Sequence, residues 1–140
     1  MSMNELIKTQ KTDKYSNKSD LIVDRFGRRF DYARIAVNEK CNLRCVYCMP
    51  EEGINFKPDK DLLSKSEIKR VISILSDLGV KKIRFTGGEP LLRKDIFDLI
   101  EYASGGKKNR STHLTTNGLL LDSLLDRLMS SGLNGVNISL

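Results

Sequence analysis

SKSEIKRVISILSDLGVKKIRFTGGEP, residues 64–90, reads as one helix followed by one strand. Ile68, Val71, Ile72, Leu75 and Leu78 recur at the helical spacing that puts them on one face. Ser64 and Glu67 fit a capping box at its start, and Gly79 fits its C-terminal stop. Lys82 to Thr86 follows as a strand that ends on paired glycines. The same rhythm continues on both sides. Ile35-Ala36-Val37 reads as a short buried strand upstream. Downstream come a helix marked by Ile96, Leu99, Ile100 and Ala103 and closed by Gly105-Gly106, then a strand over His113 to Thr116. Leu121, Leu124, Leu125 and Leu128 mark a third helix stopped by Gly132, and Val136 to Leu140 is a final strand. Leu78-Gly79-Val80 and Ser131-Gly132-Leu133 punctuate two helix-to-strand junctions alike. Alternating strands and helices predict an α/β fold with a parallel sheet and helical crossovers. The pattern fits an open doubly wound sheet and the first half of a (β/α) barrel equally. A sequence that stops on an uncovered strand is expected to be a fragment of a longer protein.

Composition narrows the class. Of 140 residues, 39% are hydrophobic and 30% charged, with the charges dispersed among recurring Leu, Ile and Val, which excludes wholesale disorder. Aliphatic runs such as Leu119-Leu120-Leu121 are far too short to span a membrane, and no apolar signal core opens the chain. The expected location is the cytoplasm. Residues 1–20 are polar and aperiodic and read as a disordered leader. Ordered structure is expected from Leu21, where Leu21-Ile22-Val23 and Arg29-Phe30 flank a turn. Lys and Arg number 24 against 18 Asp and Glu, a balance of +6 that suits a phosphate-bearing partner.

All 3 cysteines fall in Cys41-Asn42-Leu43-Arg44-Cys45-Val46-Tyr47-Cys48, a C-x3-C-x2-C run directly after the first predicted strand. An odd number cannot close a disulfide set. The spacing lets three thiolates converge from a loop and its first helical turn. Three thiolates on an iron–sulfur cube leave one iron open to a small molecule, whereas structural zinc takes four ligands. No fourth cysteine exists, and His113, the one histidine, is distant and reads as an ordinary half-buried polar residue.

The cysteine run, Tyr47 before its last member, and Gly87-Gly88-Glu89-Pro90 after the next strand together resemble the radical S-adenosylmethionine superfamily. Cys48-Met49-Pro50-Glu51, Thr86 to Arg93 and Leu114-Thr115-Thr116-Asn117-Gly118 are similar, more narrowly, to the GTP 3′,8-cyclase family of molybdenum-cofactor biosynthesis. The resemblance covers Leu21 to Leu140, which it makes the N-terminal part of a partial (β/α) TIM-type barrel. One departure is Asn38-Glu39-Lys40, where the family usually has Thr, an acid and Arg.

The resemblance implies a [4Fe–4S] cluster on Cys41, Cys45 and Cys48 that reductively cleaves S-adenosylmethionine to a 5′-deoxyadenosyl radical. It further implies cofactor contacts from Tyr47, Gly88 and Ser139, and GTP contacts from Arg34, Arg84 and Thr115. The radical would take hydrogen from the GTP ribose, and a separate cyclic pyranopterin monophosphate synthase would receive the cyclised product. Neither membrane nor nucleic acid is expected as a partner, and a homodimer is compatible with the pattern. The bland alternatives are surface ion pairing for the arginines, a packing aromatic for Tyr47 and a generic strand residue for Ser139. Lys81-Lys82 and Lys107-Lys108-Asn109-Arg110 read as solvated faces. Two rival functions share part of the pattern: a peptide-modifying enzyme of the same superfamily, and a zinc-binding nucleic-acid module.

Overall fold

The computed structural model describes residues 22–50, 52–105 and 110–139. The expected leader lies outside them, as do Leu21, Glu51, Gly106, Lys107, Lys108, Asn109 and Leu140. Strands β1 (Ile22–Val23) and β2 (Arg29–Phe30) form an antiparallel hairpin. Asp24 holds its turn by accepting from the backbone N–H groups of Phe26 and Arg28. Strand β3 spans Tyr32–Ala36, three residues earlier than its apolar centre suggests, because its outward positions are polar or aromatic.

After a long irregular excursion the chain enters helix α1 (Lys65–Asp77). Ser64 Oγ accepts from the Glu67 N–H at 3.4 Å, and Glu67 Oε2 accepts from the Ser64 N–H at 2.8 Å, the expected reciprocal capping box. At its other end the N–H of Gly79, at φ 84°, returns to Ser76 O and that of Val80 to Leu75 O. This is a complete Schellman stop. Strand β4 (Lys82–Thr86), helix α2 (Ile96–Ser104), strand β5 (Ser111–Thr116), helix α3 (Leu121–Ser130) and strand β6 (Gly135–Ile138) follow. Gly132 and Leu133 repeat the Schellman bonds at the end of α3, to Met129 O and Leu128 O. The two junctions that look alike in sequence are alike in geometry.

All four long strands are parallel, in the order β3-β4-β5-β6. Each strand lies beside the next in sequence, with no reversal of order. That is the arrangement of a barrel segment, and it excludes the doubly wound alternative, whose order reverses at a switch point. Side chains alternate between two faces. Ile35, Ile83, Phe85, Leu114 and Thr112 point to the helices and pack with Ile68, Ile72, Leu99, Ile100 and Leu128. The other face carries Tyr32 and Arg34, Lys82 and Arg84, and Ser111, His113 and Thr115, all half-buried or exposed. No helix among the described residues is long and apolar enough to cross a membrane.

Within this core the Thr112 hydroxyl is buried and makes no hydrogen bond. Thr112→Val removes that unsatisfied group with little change of shape. It should raise stability by about 1 kcal/mol in urea denaturation. An unchanged or lower midpoint would show that the hydroxyl has a partner.

Candidate metal and cofactor site

The excursion between β3 and α1 carries all three cysteines across the C-terminal ends of β3 and β4. Its cysteine segment makes one isolated helical turn from which no helix continues, with the N–H groups of Cys48 and Met49 both donating to Cys45 O at 2.9 Å. Cys41, Cys45 and Cys48 line one cavity of about 500 Å³, whose other walls include Ala36, Thr86, Gly87 and Gly88. Cys41 and Cys45 are half-buried and Cys48 is exposed; all three are free thiols. Among the described residues no three His, Cys, Asp or Glu side chains are drawn to metal-binding distances, so a metal would have to gather these sulfurs. The donor set nonetheless fits a cluster. Three sulfurs face one space, and Cys41 Sγ already receives N–H groups from Leu43 at 3.4 Å and Asn117 Nδ2 at 3.9 Å.

Two glycines make this wall possible. Gly87 sits at φ 143°, and a Cβ there would come within 2.4 Å of Asn38 O. A Cβ on Gly88 would lie 2.3 Å from Lys40 O and 2.5 Å from Glu39 O. The absent side chains let the Gly88 N–H reach Asn38 O at 3.0 Å and the Glu89 N–H reach Lys40 O at 2.7 Å. The loop after β4 is thereby fastened to the residues that lead into Cys41. Glu89 is 1% exposed. Its side-chain oxygens accept from Leu91 N–H at 3.0 Å, Thr116 Oγ1 at 2.8 Å and Asn117 N–H at 2.8 Å, joining the ends of β4 and β5. The neck of the excursion is clasped by Arg93, whose Nη1 donates to Val37 O at 2.6 Å and Nη2 to Leu63 O at 3.0 Å. Asp95 holds that guanidinium through Nε.

The remaining sequence candidates fall in three places. Arg34 and Arg84 are register partners on the open face, with His113 opposite Arg84 on the next strand. Arg34, Lys82 and Arg84 lie 5.8, 5.5 and 5.9 Å from the centre of the Tyr32 ring. Among the described residues no carboxylate pairs with either arginine, and Arg84 Nε is buried without a hydrogen-bond partner. Among the described residues, surface ion pairing does not account for them. Lys82, expected as a solvated residue, joins this cluster, and Arg110 is also not free: it donates to Ala103 O and Ile72 O. His113 is held below its ordinary pKa by burial, with Lys82 and Arg84 adding to the effect. Thr115 sits on the open face in register with Asn137. Ser139 is exposed just past β6, its N–H on Thr116 O at 2.9 Å. Tyr47 is 71% exposed and does not line the cavity. Glu89 and Asn117 stand in the motifs quoted above, yet nothing in their local sequence reveals what they bond to.

A barrel segment with three cysteines at the strand ends, beside a glycine pair that hugs them, defines a class. Residues 35–140 match the radical SAM superfamily, and the chain belongs to it. Over 122 residues, 87% of the chain, it is 51% identical to "Molybdenum cofactor biosynthesis protein 1" of Mus musculus and 48% identical to "GTP 3′,8-cyclase, mitochondrial" of Arabidopsis thaliana. Those stretches are 19% and 31% of the two relatives, so the chain spans well under half of their length. In fold it is similar to BtrN in complex with AdoMet and 2-DOIA, with a TM-score of 0.66 at 24% identity, over 79% of this chain and 46% of that one.

Gly88→Ala should cost about 1–3 kcal/mol, because a methyl group cannot share the space of Lys40 O and Glu39 O without moving backbone. Thermal denaturation checks this. A variant as stable as the parent would mean that the two segments are not in contact.

Proposed function

We propose that this chain is the cysteine-bearing part of a GTP 3′,8-cyclase. In this reading Cys41, Cys45 and Cys48 hold a [4Fe–4S] cluster. Tyr47, Gly88 and Ser139 hold S-adenosylmethionine, and Arg34, Arg84 and Thr115 hold GTP. When bound, the cluster and S-adenosylmethionine supply one-electron cleavage chemistry, while the protein supplies placement.

One observation carries the choice of substrate: the cation cluster and the cysteine cavity share the open face of the sheet. Thr86 lines the cavity, and Arg84 is two residues earlier on the same face of β4, roughly 7 Å along the strand. A nucleotide triphosphate gripped by Arg34, Arg84 and Lys82 would therefore present its sugar toward the cavity. Guanidinium groups suit this grip because their donors match phosphate oxygens in pairs. The buried, unpartnered Arg84 Nε is a donor awaiting such an acceptor. The glycine-lined wall brings backbone groups against a small cofactor and leaves no side chain in its way. The cyclised product would pass to a separate cyclic pyranopterin monophosphate synthase.

In the full-length protein, Arg84→Ala should weaken GTP binding by about 1.5–3 kcal/mol in calorimetry. Release of 5′-deoxyadenosine under dithionite, without substrate, should persist. Loss of that release with normal GTP binding would favour a peptide-modifying enzyme instead. Replacing Cys41, Cys45 and Cys48 together by Ala should abolish iron and sulfide uptake and the visible absorbance that accompanies it. In the protein with its cysteines intact, zinc bound instead of iron and sulfide would be colourless and would support the nucleic-acid module.

A further inference from the structure

Asn117 follows β5 and faces the cysteine segment across the mouth of the sheet, with its backbone N–H and both ends of its side-chain amide engaged. Its backbone N–H is fixed by Glu89 Oε2 at 2.8 Å. Its Oδ1 accepts from the Leu119 N–H at 3.1 Å, an Asx turn that settles which way the amide points. Nδ2 is left facing two acceptors, Asn42 Oδ1 at 2.7 Å and Cys41 Sγ at 3.9 Å. The bonds close a ring through three loops: Lys40 O to Glu89 N–H, the Glu89 side chain to Asn117, and Asn117 to the sulfur one residue beyond Lys40.

We propose that Asn117 is a positioning residue of the cysteine site, which holds Cys41 Sγ at the cavity wall and directs an N–H at the sulfur of a cluster ligand. The proposal rests on the reading that the three cysteines hold an iron–sulfur cluster. Hydrogen bonds to cluster sulfurs favour the reduced, more negative state and so raise the reduction potential. Groups that orient a metal ligand also govern how firmly the metal is kept. Asn117 and the Leu43 N–H approach the same sulfur, so Cys41 is the best-supported ligand of the three.

Two variants keep the turn and remove the donor. Asn117→Asp retains the acceptor for Leu119 but places oxygen where Nδ2 faced Cys41. Asn117→Ser keeps an acceptor for the turn and is too short to reach the sulfur. The full-length protein, reconstituted anaerobically with iron and sulfide, is titrated for its midpoint potential and challenged with an iron chelator. Both variants should show a more negative potential and lose iron about tenfold faster than the parent. Parent-like potential and iron retention in either folded variant would overturn the proposal. So would a drop in melting temperature with an unmoved potential, which marks a structural role only. A parent protein that takes up no iron and sulfide would remove the cluster reading itself, and the role of Asn117 with it.

Discussion

Two stretches of backbone meet here with no room for a single Cβ between them, and the rest of the site depends on that contact. Gly87 and Gly88 press against Asn38 to Lys40, the residues that deliver the chain to Cys41. A cysteine-bearing excursion of nearly thirty residues has little regular structure of its own, so its placement must come from outside. It comes from the loop after β4, through two backbone hydrogen bonds whose length demands glycine. Glu89 extends the tie to β5, and its burial is tolerated because three donors surround its oxygens.

The second constraint is the division of the sheet into unlike faces. A parallel sheet is usually apolar on both sides. Here one side packs on three helices, while the other carries aromatic, cationic and hydroxyl groups. Sequential strand order keeps these groups level across neighbours, so Arg34, Arg84 and His113 form one row beneath the cavity. Such a face suits a polar ligand better than a hydrocarbon layer.

What the sequence disclosed was whatever repeats locally. Lys82 to Thr86 begins and ends as a strand where its pattern says, and the Ser64–Glu67 cap and both glycine stops form as read. The cysteine run advertises itself by spacing. The choice between barrel and doubly wound sheet was not local, since it depends on which strand lies beside which. Glu89 is legible only as part of its motif and is almost wholly buried, held by partners 27 and 28 residues away that its local sequence does not announce. Lys82 and Arg110 read as surface charges for the same reason: an aromatic ring on β3 and carbonyls on two helices have no signature beside them. Tyr32, at the centre of the cation cluster, lies just outside the apolar run that marks its strand.

The Arg93 clasp has a consequence for how the site is filled. One guanidinium grips the carbonyls of Val37 and Leu63, at either end of the cysteine excursion, and Asp95 fixes that guanidinium in turn. The excursion is thus a loop with a knotted neck, whose ends stay together whatever happens in between. Between those ends the excursion is tied to the loops after β4 and β5 through Asn38, Lys40, Cys41 and Asn42. A cluster on the three cysteines, as proposed, would assemble within a bag of chain whose drawstring is already pulled.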